Sequence, residues 1–484
     1  IKVLPRAQTA VVNAYLSGVI EDYFRSVGTA LGPSPLHAMT SAGGIVRADR
    51  FLPVDSLLSG PAGGVVGAAG AGRRSGFERT LAFDMGGTST DVSRFDGDFD
   101  YLFETQVGGI RIMAPGLAIE TVAAGGGSIC SFDGRQLRVG PQSAGAWPGP
   151  ACYGVGGPLT LTDVNLLLGR LEPERFEIPI DPAAAETAAR RLRQQICERS
   201  GQDLACEEIL EGWLDIANER MAEAVRRISI RRGYRPSDYV LVAFGGAGGQ
   251  HACALAEILG IGTVLVPADA GLLSALGLGR ALVERFAERQ VLRPLAGCRQ
   301  ELARWIDHLA EEAVARVEKE GVPRPEIVVR RRIVQLRLEG QESALAVEAT
   351  EDRSLGEAFL RAYEDHYGYR PERRPIEVES IRVVASSRER PQVGVEAVPA
   401  ARAAEPEGRR RAYFAGAWRR VAVFDRERLE AGCRLEGPCL VFERHSATVV
   451  ESGWRGRVDA AAGLVLGRHQ SADGPPRRGD GGGS

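Results

Sequence analysis

Eight consecutive residues, Asp84 to Asp91 in the stretch LAFDMGGTSTDVSRFDG, hold two carboxylates, two adjacent glycines and three hydroxyls. These groups together suit a phosphate and a divalent cation. Asp84 and Asp91 offer the oxygen ligands a hard cation prefers. Gly86 and Gly87 let backbone N–H groups approach an anion with no Cβ in the way. Thr88, Ser89 and Thr90 add hydroxyl donors. The flanking residues supply the elements that position them. Leu81, Ala82 and Phe83 read as a buried strand with Asp84 at its end, and Asp91 opens a second strand. Asp96-Gly97 is a two-residue hairpin signal.

Two further glycine-rich stretches invite the same question. In YVLVAFGGAGGQHACALAEILG (239–260) a buried strand feeds Gly245, Gly246, Gly248 and Gly249 at a helix start, an arrangement that binds nucleotide phosphate or ribose. A dinucleotide fingerprint fits less well, because neither the GxGxxG spacing nor a following ribose acid is present. His251 follows at the helix start, where the positive end of the dipole opposes protonation. Structural and substrate-site roles both fit it. Gly125, Gly126, Gly127 and Ser128 follow an apolar run, and three glycines in a row are costly unless backbone must approach something. A substrate role is expected there.

Around these motifs the chain reads as alternating helices and strands. Near-helical apolar spacing predicts a helix over 7–31, and SGPAGGVVGAAGAG opens a small-residue helix whose glycines serve either close packing or a ligand loop. Residues 139–154 are too rich in Gly and Pro for a regular element and are expected to form an ordered loop over the cleft. Helices are predicted over 183–200, 207–231, 301–321 and 354–371. The cations near the end of the second, Arg226, Arg227, Arg231 and Arg232, read as a solvated C-terminus. Short strands with Gly turns follow a polar link around 387–410. The expected division is an ATPase-like domain over 1–285, an α+β region over 286–395, a β-rich module over 396–469 and a disordered tail over 470–484.

Composition bounds the function. The 484 residues carry a net charge of −3 with 44% hydrophobic and 25% charged residues, which fits a globular protein and gives no electrostatic case for nucleic acid or a membrane. Eight cysteines lie without CxxC spacing or a secretory signal, and read as reduced thiols of a cytoplasmic protein. Cys152 reads as a buried apolar thiol rather than a nucleophile. The start, IKVLPRAQTA, is expected to lie within a longer protein.

The passages LLSGPAGGVVGA, FDMGGTSTDVSRFDG, ETVAAGGGSI, VGPQSAGAWPGPACYG, LTDVNLLLGRL, FGGAGGQHACALAEILG, GLLSALGLG and HYGYRP resemble the A subunit or A half of the hydantoinase A/5-oxoprolinase family, within the actin-like ATPase superfamily. The resemblance implies an α/β, actin-like (ribonuclease H-like) fold, incomplete at the N-terminus because no DxGGTFTD-type first phosphate motif precedes Asp84. It implies Mg²⁺ held by Asp84 and Asp91, and ATP phosphate held by Thr88, Thr90 and the Gly86 and Gly87 amides. It further implies a B-type partner and ATP-dependent opening of a lactam or hydantoin, with 5-oxo-L-proline favoured by TVAAGGGS and GGAGGQHA. An oligomer is expected. Glu120 and Trp147 depart from the family pattern. An A-type subunit of a ketone carboxylase and a non-catalytic nucleotide-binding subunit are the alternative readings.

Overall fold

The computed structural model describes residues 2–268, 270–350, 354–371, 374–389 and 400–468. At its centre the strand Arg79–Met85 is buried along almost its whole length. A continuous apolar run of that kind belongs to a sheet covered on both faces. It pairs antiparallel with Thr90–Asp96 and parallel with Val240–Phe244. Side chains alternate across the sheet, so Asp84 points to Gly64 of the helix Ser59–Arg74, whereas Thr90 points to Met221 of the helix Cys206–Ile228. These helices therefore cover opposite faces. The helix Gly245–Leu259 connects Val240–Phe244 to its parallel neighbour Thr263–Val266.

The sheet continues beyond the expected first domain. Leu464–Arg468 pairs antiparallel with Thr263–Val266, and then Trp454–Val458, Cys433–Glu436 and Arg402–Ala403 extend the edge. Trp454, Val458, Leu464 and Leu466 share one apolar core with Phe83 and Leu241. The strands after residue 400 are therefore divided between this sheet and a second one, Gly408–Phe414 with Ala417–Asp425, Cys439–Phe442 and Ala447–Val450. A polar link marks where the chain crosses the surface, and short alternating strands do not declare which sheet they will join. Between 284 and 387 a four-stranded antiparallel sheet carries the helices Leu295–Lys319 and Leu355–Tyr367 over a core of its own.

The predicted helices form, with ends shifted by a few residues, at Val3–Leu31, Pro182–Ser200, Cys206–Ile228, Leu295–Lys319 and Leu355–Tyr367. Residues 139–154 do not form one irregular loop. Leu137–Ser143 is a strand paired with Ser128–Phe132 in a two-stranded sheet, where the edge tolerates Pro141. The first helix shows Val11, Tyr15, Val19 and Tyr23 at 61–83% exposure. No helix among the described residues is long and apolar enough to cross a membrane. The expected tail over 470–484, and 390–399 of the polar link, lie outside the described residues.

Candidate functional site

The four-residue turn between the two central strands puts Asp84 directly opposite Asp91 on one face. Gly86 N–H closes the turn onto the Ser89 carbonyl at 3.1 Å. Gly87 and Thr88 are exposed, and a Cβ built on Gly86 or Gly87 would meet nothing within 4 Å. The amides of Gly87, Thr88 and Ser89 have no acceptor among the described residues. An exposed turn with free N–H groups beside two acids is a ready anion and cation site.

Asp84 is held in a narrow recess. Ser274 Oγ donates to it at 3.3 Å, and Gly64 and Gly245 wall it in, since a Cβ on either would come within 3.1 or 2.4 Å of the carboxylate. Gly245 also has φ +78, which an L side chain rarely adopts. Burial, and then the Asp91 charge, push Asp84 up to about 6 against the Ser274 hydrogen bond. Burial also raises Asp91, opposed by the Thr121 hydroxyl that donates to it at 2.5 Å. Two neighbouring carboxylates raised in this way suit a cation that would relieve both. No cluster of three or more His, Cys, Asp or Glu able to hold a metal occurs among the described residues. The pair itself suits a hard cation such as Mg²⁺, which takes one or two carboxylates and completes its shell with water and substrate phosphate.

The triple glycine meets the phosphate turn itself. Gly126 and Gly127 N–H donate to the Gly86 and Gly87 carbonyls at 3.0 and 2.7 Å. A Cβ on Gly125 would lie 2.7 Å from the Thr88 and Ser89 amide nitrogens. Ser128 is buried, and its hydroxyl accepts from Gly125 N–H at 2.9 Å. Gly125, Gly126, Gly127 and Ser128, expected to meet substrate, form a buttress behind the turn. Thr162 fastens it from behind, with its N–H and hydroxyl both donating to the Gly126 carbonyl.

Other expected site residues also turn inward. Thr90 is fully buried and donates to the Ala124 carbonyl at 2.5 Å, because strand alternation turns it to the face opposite Asp91. Gly248 and Gly249 are buried packing positions. A Cβ on Gly249 would come within 2.6 Å of Thr448 Oγ1, where the second sheet lies against the helix. His251 is 2% exposed and bonded through Nδ1 to Asn218 at 2.8 Å, and burial drives it down to about 3. It is a neutral structural residue. Gly245 and Gly246 remain at the cleft, at the start of their helix beside Asp84.

Thr121, Thr162 and Ser274 lie within the family-like passages ETVAAGGGSI, LTDVNLLLGRL and GLLSALGLG, but nothing local in those passages assigns them a role at the site. A trace of Gly64 was present in SGPAGG. Gly63 and Gly67 face Gly277, where a Cβ would come within 1.9 Å of the Gly63 carbonyl, so two helix backbones touch and bring Ser274 to Asp84. Spacing of small residues at 63 and 67 is the signal for such an approach. Glu120 pairs with Arg227 at 2.6 Å, and Trp147 is 78% exposed. Cys152 is buried, which raises its thiol, and no disulfide links the eight cysteines.

The fold is an α/β sheet covered by helices and ending in an acid-lined glycine hairpin. The hydantoinase/oxoprolinase profile matches residues 6–286 and the hydantoinase/oxoprolinase C-terminal domain matches 294–466, so the chain belongs to that family. It is 36% identical to 5-oxoprolinase 1 of Arabidopsis thaliana over 93% of this chain and 38% of that protein. It is 31% identical to the caprolactamase subunit alpha of Pseudomonas jessenii over 95% of this chain and 69% of that one. The chain thus spans well under half of the plant 5-oxoprolinase. The crystal structure of the ATP-dependent caprolactamase from Pseudomonas jessenii superposes with a TM-score of 0.86 at 30% identity, covering 97% of this chain and 71% of that one. Nucleotide-free acetone carboxylase shares the fold alone, with a TM-score of 0.68 at 22% identity over 93% of this chain and 66% of that one.

Proposed function

We propose that the chain is the ATP-binding A portion of a cytoplasmic enzyme that opens a cyclic amide, 5-oxo-L-proline first among candidates, by phosphorylating the amide oxygen. The single observation that carries this reading is the Asp84–Asp91 pair flanking a turn whose Gly87 and Thr88 are exposed and whose amides have no acceptor among the described residues. An unstrained amide is a poor electrophile: phosphorylating its oxygen activates the carbon, water adds there, the carbon–nitrogen bond breaks to open the ring, and the acyl phosphate left behind is hydrolysed to carboxylate and phosphate. Phosphoryl transfer of this kind is mainly positioning and charge stabilisation. The Gly87, Thr88 and Ser89 amides hold and polarise ATP phosphate. Asp84 and Asp91 would hold Mg²⁺ directly or through water, and such an ion would supply charge neutralisation for the transferred group. Gly245 and Gly246, at a helix N-terminus, face the same cleft and favour an anion there. A B-type partner, to which caprolactamase's name "subunit alpha" lends support, contributes the water attack that completes opening.

The test is ATP turnover by the enzyme assembled with its B partner and any remaining family segments. Asp84→Asn and Gly87→Val should each lower it by about 10² or more. Folded variants with wild-type turnover would overturn the site. Product from a ketone and bicarbonate, and none from 5-oxo-L-proline or a hydantoin, would reassign the chain to carboxylase chemistry and leave the nucleotide site standing. The absence of any nucleotide turnover in the assembly would favour a non-catalytic subunit.

A further inference from the structure

A cavity of about 800 Å³ opens away from the hairpin, between the first helix, the turn Pro53–Ser56, the strand Glu284–Pro294 and the helix Leu295–Lys319. Five basic and four acidic side chains line it, which leaves one surplus positive charge. Most of them are committed to partners. Arg50 and Arg285 pair with Glu320, Arg316 with Glu312, Glu284 with Arg330, and Glu288 with Arg382. Asp55, Arg6 and Lys319 remain, with no side-chain hydrogen bond or ion pair among the described residues.

Asp55 sits on a fixed backbone. Its carbonyl accepts from both Ser41 N–H and Ser41 Oγ at 2.7 Å, and neighbouring Val54 N–H donates to Asn13 Oδ1 at 3.1 Å. Its carboxyl is largely withdrawn from water, and burial raises it to about 6 against the nearby Arg285 charge. An acid so withdrawn, with no hydrogen-bond donor, is costly to leave alone. A ligand that brings a cationic donor would satisfy it.

We propose that this cavity binds an acidic amino acid, with its ammonium on Asp55 and its two carboxylates on Arg6 and Lys319. The ligand's net charge of minus one balances the net plus one of Asp55, Arg6 and Lys319. Glutamate is favoured over aspartate only because it is the product of 5-oxoproline opening, and that choice rests on the proposed function. The charge argument for an acidic amino acid stands without it.

Calorimetry on the chain itself tests the proposal, using L-glutamate, N-acetyl-L-glutamate and 5-oxo-L-proline, of which only the first carries an ammonium. L-Glutamate should bind saturably, and the other two about tenfold more weakly or worse. Asp55→Asn and the surface variant Arg6→Gln should each weaken glutamate by about tenfold or more. Asp84→Asn should leave it unchanged, so loss of the nucleotide site and loss of this site are separable. No saturable binding at millimolar glutamate, equal binding of 5-oxo-L-proline, or indifference to Arg6→Gln would overturn it.

Discussion

Asp84→Asn should stabilise the metal-free protein while disabling it, and the size of the gain follows from where the carboxylate sits. Folding raises this group from an ordinary 3.8 to about 6. The folded protein therefore holds the proton more tightly than the unfolded chain, and stability is lost as pH rises through that interval. Above about pH 6 the loss is complete and amounts to about 3 kcal/mol. This is a ceiling, because the positive end of the helix Gly245–Leu259 stands beside Asp84 and favours the charged form. Asparagine keeps the shape and an oxygen for Ser274 but carries no charge. Scanning calorimetry without Mg²⁺ should show a midpoint raised by roughly 3–6 °C at pH 8 for a chain of this size and no gain at pH 4. Added Mg²⁺ should then stabilise wild type and leave the variant unmoved. A variant less stable than wild type at pH 8, or equally stabilised at both pH values, would refute the account of Asp84 as a buried, destabilising acid.

Two further outcomes test the support of the site. Gly125→Ala should displace the phosphate turn, because the new methyl would lie 2.7 Å from the Thr88 and Ser89 amide nitrogens. An overpacking cost of about 1–3 kcal/mol should appear in denaturant melts, with a raised KM for ATP in the assembled enzyme. His251 is held neutral down to about 3 against an ordinary 6.5, so its contribution to stability is present above pH 6.5 and drains away as pH falls toward 3. His251→Gln should flatten that acid limb in a pH series of urea midpoints, a change worth up to about 5 kcal/mol.

The hairpin was legible because its chemistry is local: acids, glycines and hydroxyls lie in one uninterrupted run between two apolar strands. Thr90, read as a phosphate ligand, turns inward, which strand alternation requires: a pairing that sets Asp84 against Asp91 sends Thr90 to the other side. What escaped was supplied from a distance. Ser274 reaches Asp84 across 190 positions because two glycine-faced helices touch, and Thr121 reaches Asp91 from the next strand. The triple glycine, read as a place where backbone must approach something and expected to meet substrate, bonds its amides to the carbonyls of the turn. The final strand's place beside Thr263–Val266 follows from tertiary pairing that no local pattern encodes.

The central claim, that ATP phosphorylates the amide oxygen, is tested most directly by oxygen labelling. The assembled enzyme is given Mg-ATP and 5-oxo-L-proline carrying ¹⁸O in the lactam carbonyl, and the released phosphate is analysed by mass spectrometry. Water adding to the activated carbon, departure of the ring nitrogen from it, and attack of a second water at the carbon of the resulting acyl phosphate carry one labelled oxygen into phosphate for every ring opened. Label retained wholly in the new carboxylate, with unlabelled phosphate, would contradict it.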